Sequence, residues 1–194
     1  MKSISLLILA AVIASFSSAA TLGATTEPVV SISALKTVEA FTNAKFATET
    51  IGLGRVTAGD PWDLVGPARG TWLPGYGVIV TFELSLVNIT PPGLVNATIS
   101  KEEIKSDHDR KVAKLVVFKD TMRDLVVKAA GTLTTLPPEQ NIIFEAYFFS
   151  FSFEDHSHLP RRLTMTANRQ KLLDAVARKA SPADLAALIE EREE

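Results

Sequence analysis

The chain reads as α+β: a small mixed sheet of three to four strands with a β-α-β-β centre, packed by one long helix and flanked by helices towards both ends. Three observations predict it. Val78, Val80, Phe82, Leu84 and Leu86 alternate with Ile79, Thr81, Glu83, Ser85 and Val87, which is the two-residue period of a strand. Between Lys101 and Leu133, Ile104, His108, Val112, Leu115, Met122, Leu125, Val126, Ala129 and Leu133 recur at steps of three and four, the stripe of a helix lying on a sheet. Two more strand-like runs, Ile142 to Phe153 and Arg162 to Ala167, are separated only by a short polar loop and read as a hairpin.

Composition sets the frame. The 194 residues are 46% hydrophobic and 22% charged, the make-up of one domain of about 100 to 200 residues with a sizeable core. A net charge of -2, with both signs interleaved, offers no footprint for nucleic acid or an anionic membrane surface. The chain has no cysteine, so disulfides, a thiol nucleophile and thiolate metal ligands are excluded and the core alone must hold the fold.

In chain order, Met1-Lys2, the apolar run Ile4 to Phe16 and the small residues Ser17-Ser18-Ala19-Ala20 form a signal peptide over 1–20. The apolar run is shorter than the roughly 20 residues that span a bilayer, so no stable membrane span is expected after cleavage. A flexible leader over 21–30 precedes a single α+β domain over 31–194. Ser31 or Ser33 can cap a helix reaching about Thr48, with Leu35, Val38, Phe41 and Phe46 towards the core.

Seven of the ten glycines, with Pro61, Pro67 and Pro74, lie between Gly52 and Gly77. That density predicts turns rather than a regular element, interrupted at most by a short strand at Leu53 to Thr57. The strand after it ends at Pro91-Pro92-Gly93. Along the outer face of the long helix, Asp107 with Lys111 and Asp124 with Lys128 are spaced to pair at i,i+4. The run Ile142 to Phe153 is apolar on both alternating faces, which places it at the centre of a sheet or against a protein partner or a second copy. Near the end, Asn168 is set to cap a helix over Arg169 to Ala177, and Ser181-Pro182-Ala183-Asp184 has the N-cap, first-turn proline and acid of a helix start.

Few residues suggest chemistry. Glu154-Asp155-His156-Ser157-His158 is the densest cluster of metal-ligand or acid-base side chains; if the strand continued through it, His156 and His158 would project to the same side as a metal requires, but no third ligand is identified. A solvated turn is the plainer reading. His108 lies on the apolar stripe and reads as a partly buried, hydrogen-bonded histidine, able to meet His156 only if the helix crosses the hairpin tip. Trp62, Trp72 and Tyr76 gather in the glycine-rich segment, either as an aromatic ligand-binding surface or as caps folded back on the sheet. Gly52-Leu53-Gly54 and Gly75-Tyr76-Gly77 lack the third glycine of a dinucleotide loop, and a strand follows Gly77 where that loop opens a helix. No phosphate-binding loop, nucleophile elbow or His-Glu-x-x-His is present.

The run Leu73-Pro74-Gly75-Tyr76-Gly77-Val78 entering a strand, the long charged helix, a Phe-rich strand ending in Phe153-Glu154-Asp155 and Leu159-Pro160 opening the next strand resemble a group of uncharacterised exported bacterial proteins. The resemblance covers about Arg55 to Leu173 and implies export and this order of elements. No activity is attached to that group.

The expected function is therefore that of a secreted or periplasmic binding or interaction module without catalysis or cofactor. The alternatives are a metal-assisted hydrolase using the Glu154 to His158 loop with a divalent metal on His156 and His158, and a structural protein of the cell envelope. Expressed with its own leader in a bacterium, the exported protein should begin at Ala20 or Thr21. An intact-mass measurement that finds Met1 to Ala19 still attached would remove the export reading.

Overall fold

The computed structural model describes residues 30–46, 62–87 and 99–194. The signal peptide, the leader up to residue 29, the short strand at Leu53 to Thr57 and the turn at Pro91 to Gly93 lie outside them; Val30, expected to close the flexible leader, is instead buried in the core. Helix α1 (Ile32–Phe46) leads into strands β1 (Asp63–Leu73) and β2 (Gly77–Ser85), and the long helix α2 (Lys101–Thr132) crosses to β3 (Asn141–Phe148) and β4 (Arg162–Asn168). Helices α3 (Arg169–Ala177) and α4 (Pro182–Ala186) and strand β5 (Glu190–Glu193) complete the order. The class is α+β, with five strands rather than three to four.

The strands lie in the order β1-β2-β3-β4-β5. β1 pairs with β2, β3 with β4 and β4 with β5 antiparallel, while β2 and β3 run parallel. A parallel pair cannot be joined by a tight turn, so α2 carries the chain back along the sheet. Its start is well specified: the Ser100 side chain accepts from Glu103 N–H and Glu103 reaches back to Ser100 N–H, a capping box worth about 1 kcal/mol.

Register decides the faces. Val78, Val80 and Phe82 stand opposite Ile142, Phe144 and Ala146, which in turn stand opposite Ala167, Met165 and Leu163. All nine are buried, in one cluster with Val38 and Phe46 of α1, Phe118, Met122 and Val126 of α2 and Leu172 of α3. These three helices thus pack on one side of the sheet. Phe118 lies at its centre, with ring centroids 5.3 Å from Phe46, 5.2 Å from Phe148 and 6.4 Å from Phe82; burying such a phenyl stabilises by about 1.5–3 kcal/mol.

Three expectations change. The segment before Trp72 is not all turns, because Asp63–Leu73 is an edge strand. Its glycines and proline fit there: the register shifts between Gly66 and Arg69 make a bulge around Pro67, and bulges and edges are where a strand tolerates proline. The outward N–H groups are not left bare either, since Ala68 N–H donates to Asn43 Oδ1 at 2.6 Å and Gly70 N–H to Glu39 Oε1 at 2.9 Å. Helix α1 thereby shields the sheet edge.

Second, the Phe-rich strand ends at Phe148, five residues early. Phe149 N–H still bonds Leu84 O at 2.9 Å, after which the chain leaves the ladder and Phe149, Phe151 and Phe153 pack on one another at 5.0 and 5.2 Å. Third, Glu190–Glu193 is a strand with no apolar pattern to announce it. Lys119 and Arg123 of α2 bind Glu191, and Lys119 also binds Glu193, so charge holds β5 where apolar burial does not.

The turn into β2 follows from its residues. Tyr76 N–H bonds Leu73 O at 3.1 Å, with Pro74 and then Gly75 at φ 74° between them, as a type II turn requires. Gly77 is more constrained, at φ 150° with the place of a Cβ only 2.0 Å from Asn141 O. No other residue fits. At the far end of α2, the buried Arg169 donates to Ala130 O and Leu136 O; burial pulls its guanidinium below the usual arginine value, and its charge complements the negative end of the helix.

Glu39 ties helix to edge and makes stability depend on acid. Burial alone would raise its carboxyl, but the Gly70 N–H and the Lys36 ammonium outweigh it and hold the group below the ordinary 4.5. Its contribution is therefore complete above that value and is lost as pH falls through the lower folded value. Glu39→Gln should cost about 1–2 kcal/mol in urea unfolding at neutral pH, with the difference from wild type shrinking on acidification. A difference independent of pH would show that the carboxylate charge does not hold the edge.

Candidate functional site on the open face of the sheet

The hairpin loop carries the densest cluster of potentially reactive side chains. Helix α2 does cross its tip, and His108 Nδ1 lies 3.2 Å from Asp155 O. A carbonyl only accepts, so this contact assigns the proton to Nδ1. The other side chains are spent on shaping the loop. Asp155 Oδ1 accepts from Ser157 N–H at 2.9 Å and Ser157 Oγ at 2.7 Å; these bonds, aided by His108 and His156, hold its carboxyl below the ordinary value. Glu154 accepts from Phe151 N–H at 3.1 Å and from Lys111 Nζ.

His156 and His158 are both exposed. The condition for their projecting together fails, since β3 ends at Phe148 and His158 has the left-handed φ of 58° within a turn closed by Leu159 N–H on His156 O. Among the described residues no three His, Asp or Glu side chains are grouped so as to hold a metal ion.

The Lys111–Glu154 pair is what sequence reasoning missed. Lys111 does not pair with Asp107 on the solvent side: Asp107 binds Arg110 at 2.7 Å, and Lys111 turns inward, its side chain 4% exposed against 7% for Glu154. Val112, expected on the buried stripe, is 40% exposed instead. Two small cavities beside Lys111, about 10 and 20 Å³, have room for about a water each. The pair is a staple between α2 and the loop.

Nor do the aromatics form one surface. Trp62 packs edge-on against Phe46 at 5.4 Å and Phe118 at 6.2 Å. Trp72 lies on the helix side and donates its indole N–H to Gln140 Oε1 at 3.2 Å. Only Tyr76, 52% exposed, reaches the other side, and it stands at the end of the sheet remote from the hairpin loop, where Gly77 is opposite Asn141.

That other side is the open face, and register orders it in rows. Ile79, Ile143, Thr166 and Glu190 form one row across four strands, and Thr81, Glu145, Thr164 and Arg192 the next. Glu83, Tyr147 and Arg162 make a third, with Glu194 joined to Arg162 by backbone and side-chain bonds. A groove of about 320 Å³ runs over the first two rows, with Ile79 and Ile143 as its apolar floor and Tyr76, Glu145, Arg162, Glu190, Arg192 and Glu194 at its walls. Arg162 is anchored there by Glu145 at 3.0 Å, by the Tyr147 ring at 6.0 Å and by Glu194. Tyr147 and Glu194 raise its pKa above the ordinary arginine value.

Comparison of the chain with models of protein families, with curated proteins and with solved structures gives no match. The class is thus defined by the fold itself, an α+β sheet that, among the described residues, is covered by helices on one side. Among the described residues no helix is long and apolar enough to cross a membrane.

If the buried pair is the staple, breaking it must cost what an orphaned buried charge costs. Lys111→Met should destabilise by about 3–5 kcal/mol in urea unfolding. Lys111→Met/Glu154→Leu should recover most of that loss, because no unpaired charge then remains. A double variant as unstable as the single one would mean that the pair does not fasten the loop.

Proposed function

We propose that the chain is an exported, non-catalytic binding module whose ligand surface is the open face of the sheet. The observation that carries this reading is the groove over Ile79 and Ile143. Its volume falls at the lower end of the roughly 300–1,000 Å³ of small-ligand sites, and its few charged groups around an apolar floor have the make-up of such sites. The signal peptide expected over 1–20 and the resemblance to exported bacterial proteins support export.

Other readings have less support. A hydrolase using Glu154 to His158 would need those groups free for a metal or substrate, whereas Glu154 and Asp155 are engaged in holding the loop. An aromatic surface of Trp62, Trp72 and Tyr76 loses both tryptophans to the helix side. The Phe-rich strand needs no partner at its edges, since β3 lies between β2 and β4; what it leaves uncovered is the open face.

Amide chemical-shift mapping with a library of small fragments tests the site. Hits should shift Ile79, Glu145, Thr164 and Thr166 together, and Thr164→Trp, which fills the groove from a half-buried position outside the core, should abolish them while leaving the rest of the spectrum in place. Hits that gather at Glu154 to His158 instead, or survive Thr164→Trp, would reject the open face as the ligand surface.

A further inference from the structure

We infer that the groove on the open face selects an organic cation, a ligand with a protonated amine joined to an apolar body. The inference rests on the proposed binding role of that face and concerns the chemistry of its ligand. Three carboxylates, Glu145, Glu190 and Glu194, face two guanidiniums, Arg162 and Arg192, around the groove. Among the described side chains, the other charges in register with these rows, Arg69 opposite Thr81 and Glu83 opposite Tyr147, offset one another. One negative charge is left over.

The two arginines are not equally available to an anion. Arg162 is held by Glu145, Glu194 and the Tyr147 ring at once, and Arg192 has Glu190 at 3.4 Å on the same strand. An incoming carboxylate would have to compete with these acids for each guanidinium, while an incoming ammonium meets carboxylates in excess. Arg162 already shows how the face receives a cation, between carboxylates and against the face of a phenol. Tyr76, half exposed at the end of the same groove, offers a second ring. Ile143 is only 5% exposed and Ile79 is half-buried beside it, so the floor covers an alkyl or ring body but not a second charge.

Charge and apolar length are separable in a matched series. n-Hexylammonium, n-hexanoate and n-hexanol share one chain and differ in the head group, and their affinities can be read at low ionic strength from the shifts of the Ile79, Glu145, Thr164 and Thr166 amides. n-Hexylammonium should bind about fivefold or more tightly than either of the others, the effect of one partly exposed ion pair, and added salt should erase the difference. Glu145→Gln/Glu190→Gln turns the surplus from one negative to one positive charge and should reverse the preference towards n-hexanoate. Glu190→Gln alone, at a side chain 70% exposed and remote from the core, should lower n-hexylammonium affinity without altering the melting temperature. Equal affinities, a preference for n-hexanoate in the wild type, or an unchanged preference in both variants would overturn the inference. Those results leave the face itself standing as long as fragments continue to map there, whereas loss of all fragment binding at the groove would remove the face and the inference together.

Discussion

Gly77 meets Asn141 so closely that the two strands could not begin side by side with any side chain between them. Tyr76 O accepts from Asn141 N–H at 3.1 Å at the same point, so the turn before β2 and the first residue of β3 are locked together. Every later pairing is counted from there: Val78 with Ile142, Val80 with Phe144, Phe82 with Ala146. Because side chains alternate, a slip of one residue would carry the buried set to the solvent side and bring Ile79, Glu145 and Arg162 under the helices. The helix-covered core and the open groove are two faces of one register.

How much of this was legible depended on whether packing or charge did the work. Alternation and helical period located β2, α2 and β4, and capping chemistry located the starts of α3 and α4, since those signals are local. The strand β1 was hidden because its glycines and proline serve a bulge and a shielded edge, a role that only its pairing with β2 and α1 reveals. β5 was hidden for the opposite reason. Its acids and the adjoining Glu194 are attracted by Lys119 and Arg123 of α2 and by Arg162 of β4, two stretches remote in the chain, and no window of sequence contains that attraction.

Lys111 is the instructive case on α2. Ile104, His108, Lys111, Leu115, Phe118, Met122, Leu125 and Ala129 follow steps of four and three without a break, and the helix half-buries the first two and buries the line from Lys111 on. Reading only apolar residues diverts the line to Val112 and leaves Lys111 outside. A cation at a core position of a regular stripe is a signal that an acid must approach from elsewhere, and the cluster of acids in the hairpin loop was where to seek it. The same cluster had suggested metal chemistry, although its carboxylates are needed to fasten the loop.

The candidate site was the least legible part because no motif marks it. Its residues come from four separate stretches, Tyr76 and Ile79, Ile143 and Glu145, Arg162 to Thr166, and Glu190 to Glu194, and each is ordinary alone. They become a groove only when the strands align in parallel and antiparallel pairs and when α1, α2 and α3 take the other side. A sheet face of this kind could have been made uniformly polar, as most solvated faces are. Instead an isoleucine pair lies under a wall of acids and arginines, with one arginine held so firmly that the acids keep the surplus. That combination of apolar floor and unbalanced charge, rather than the loop with the most reactive-looking side chains, is what the proposed binding role rests on.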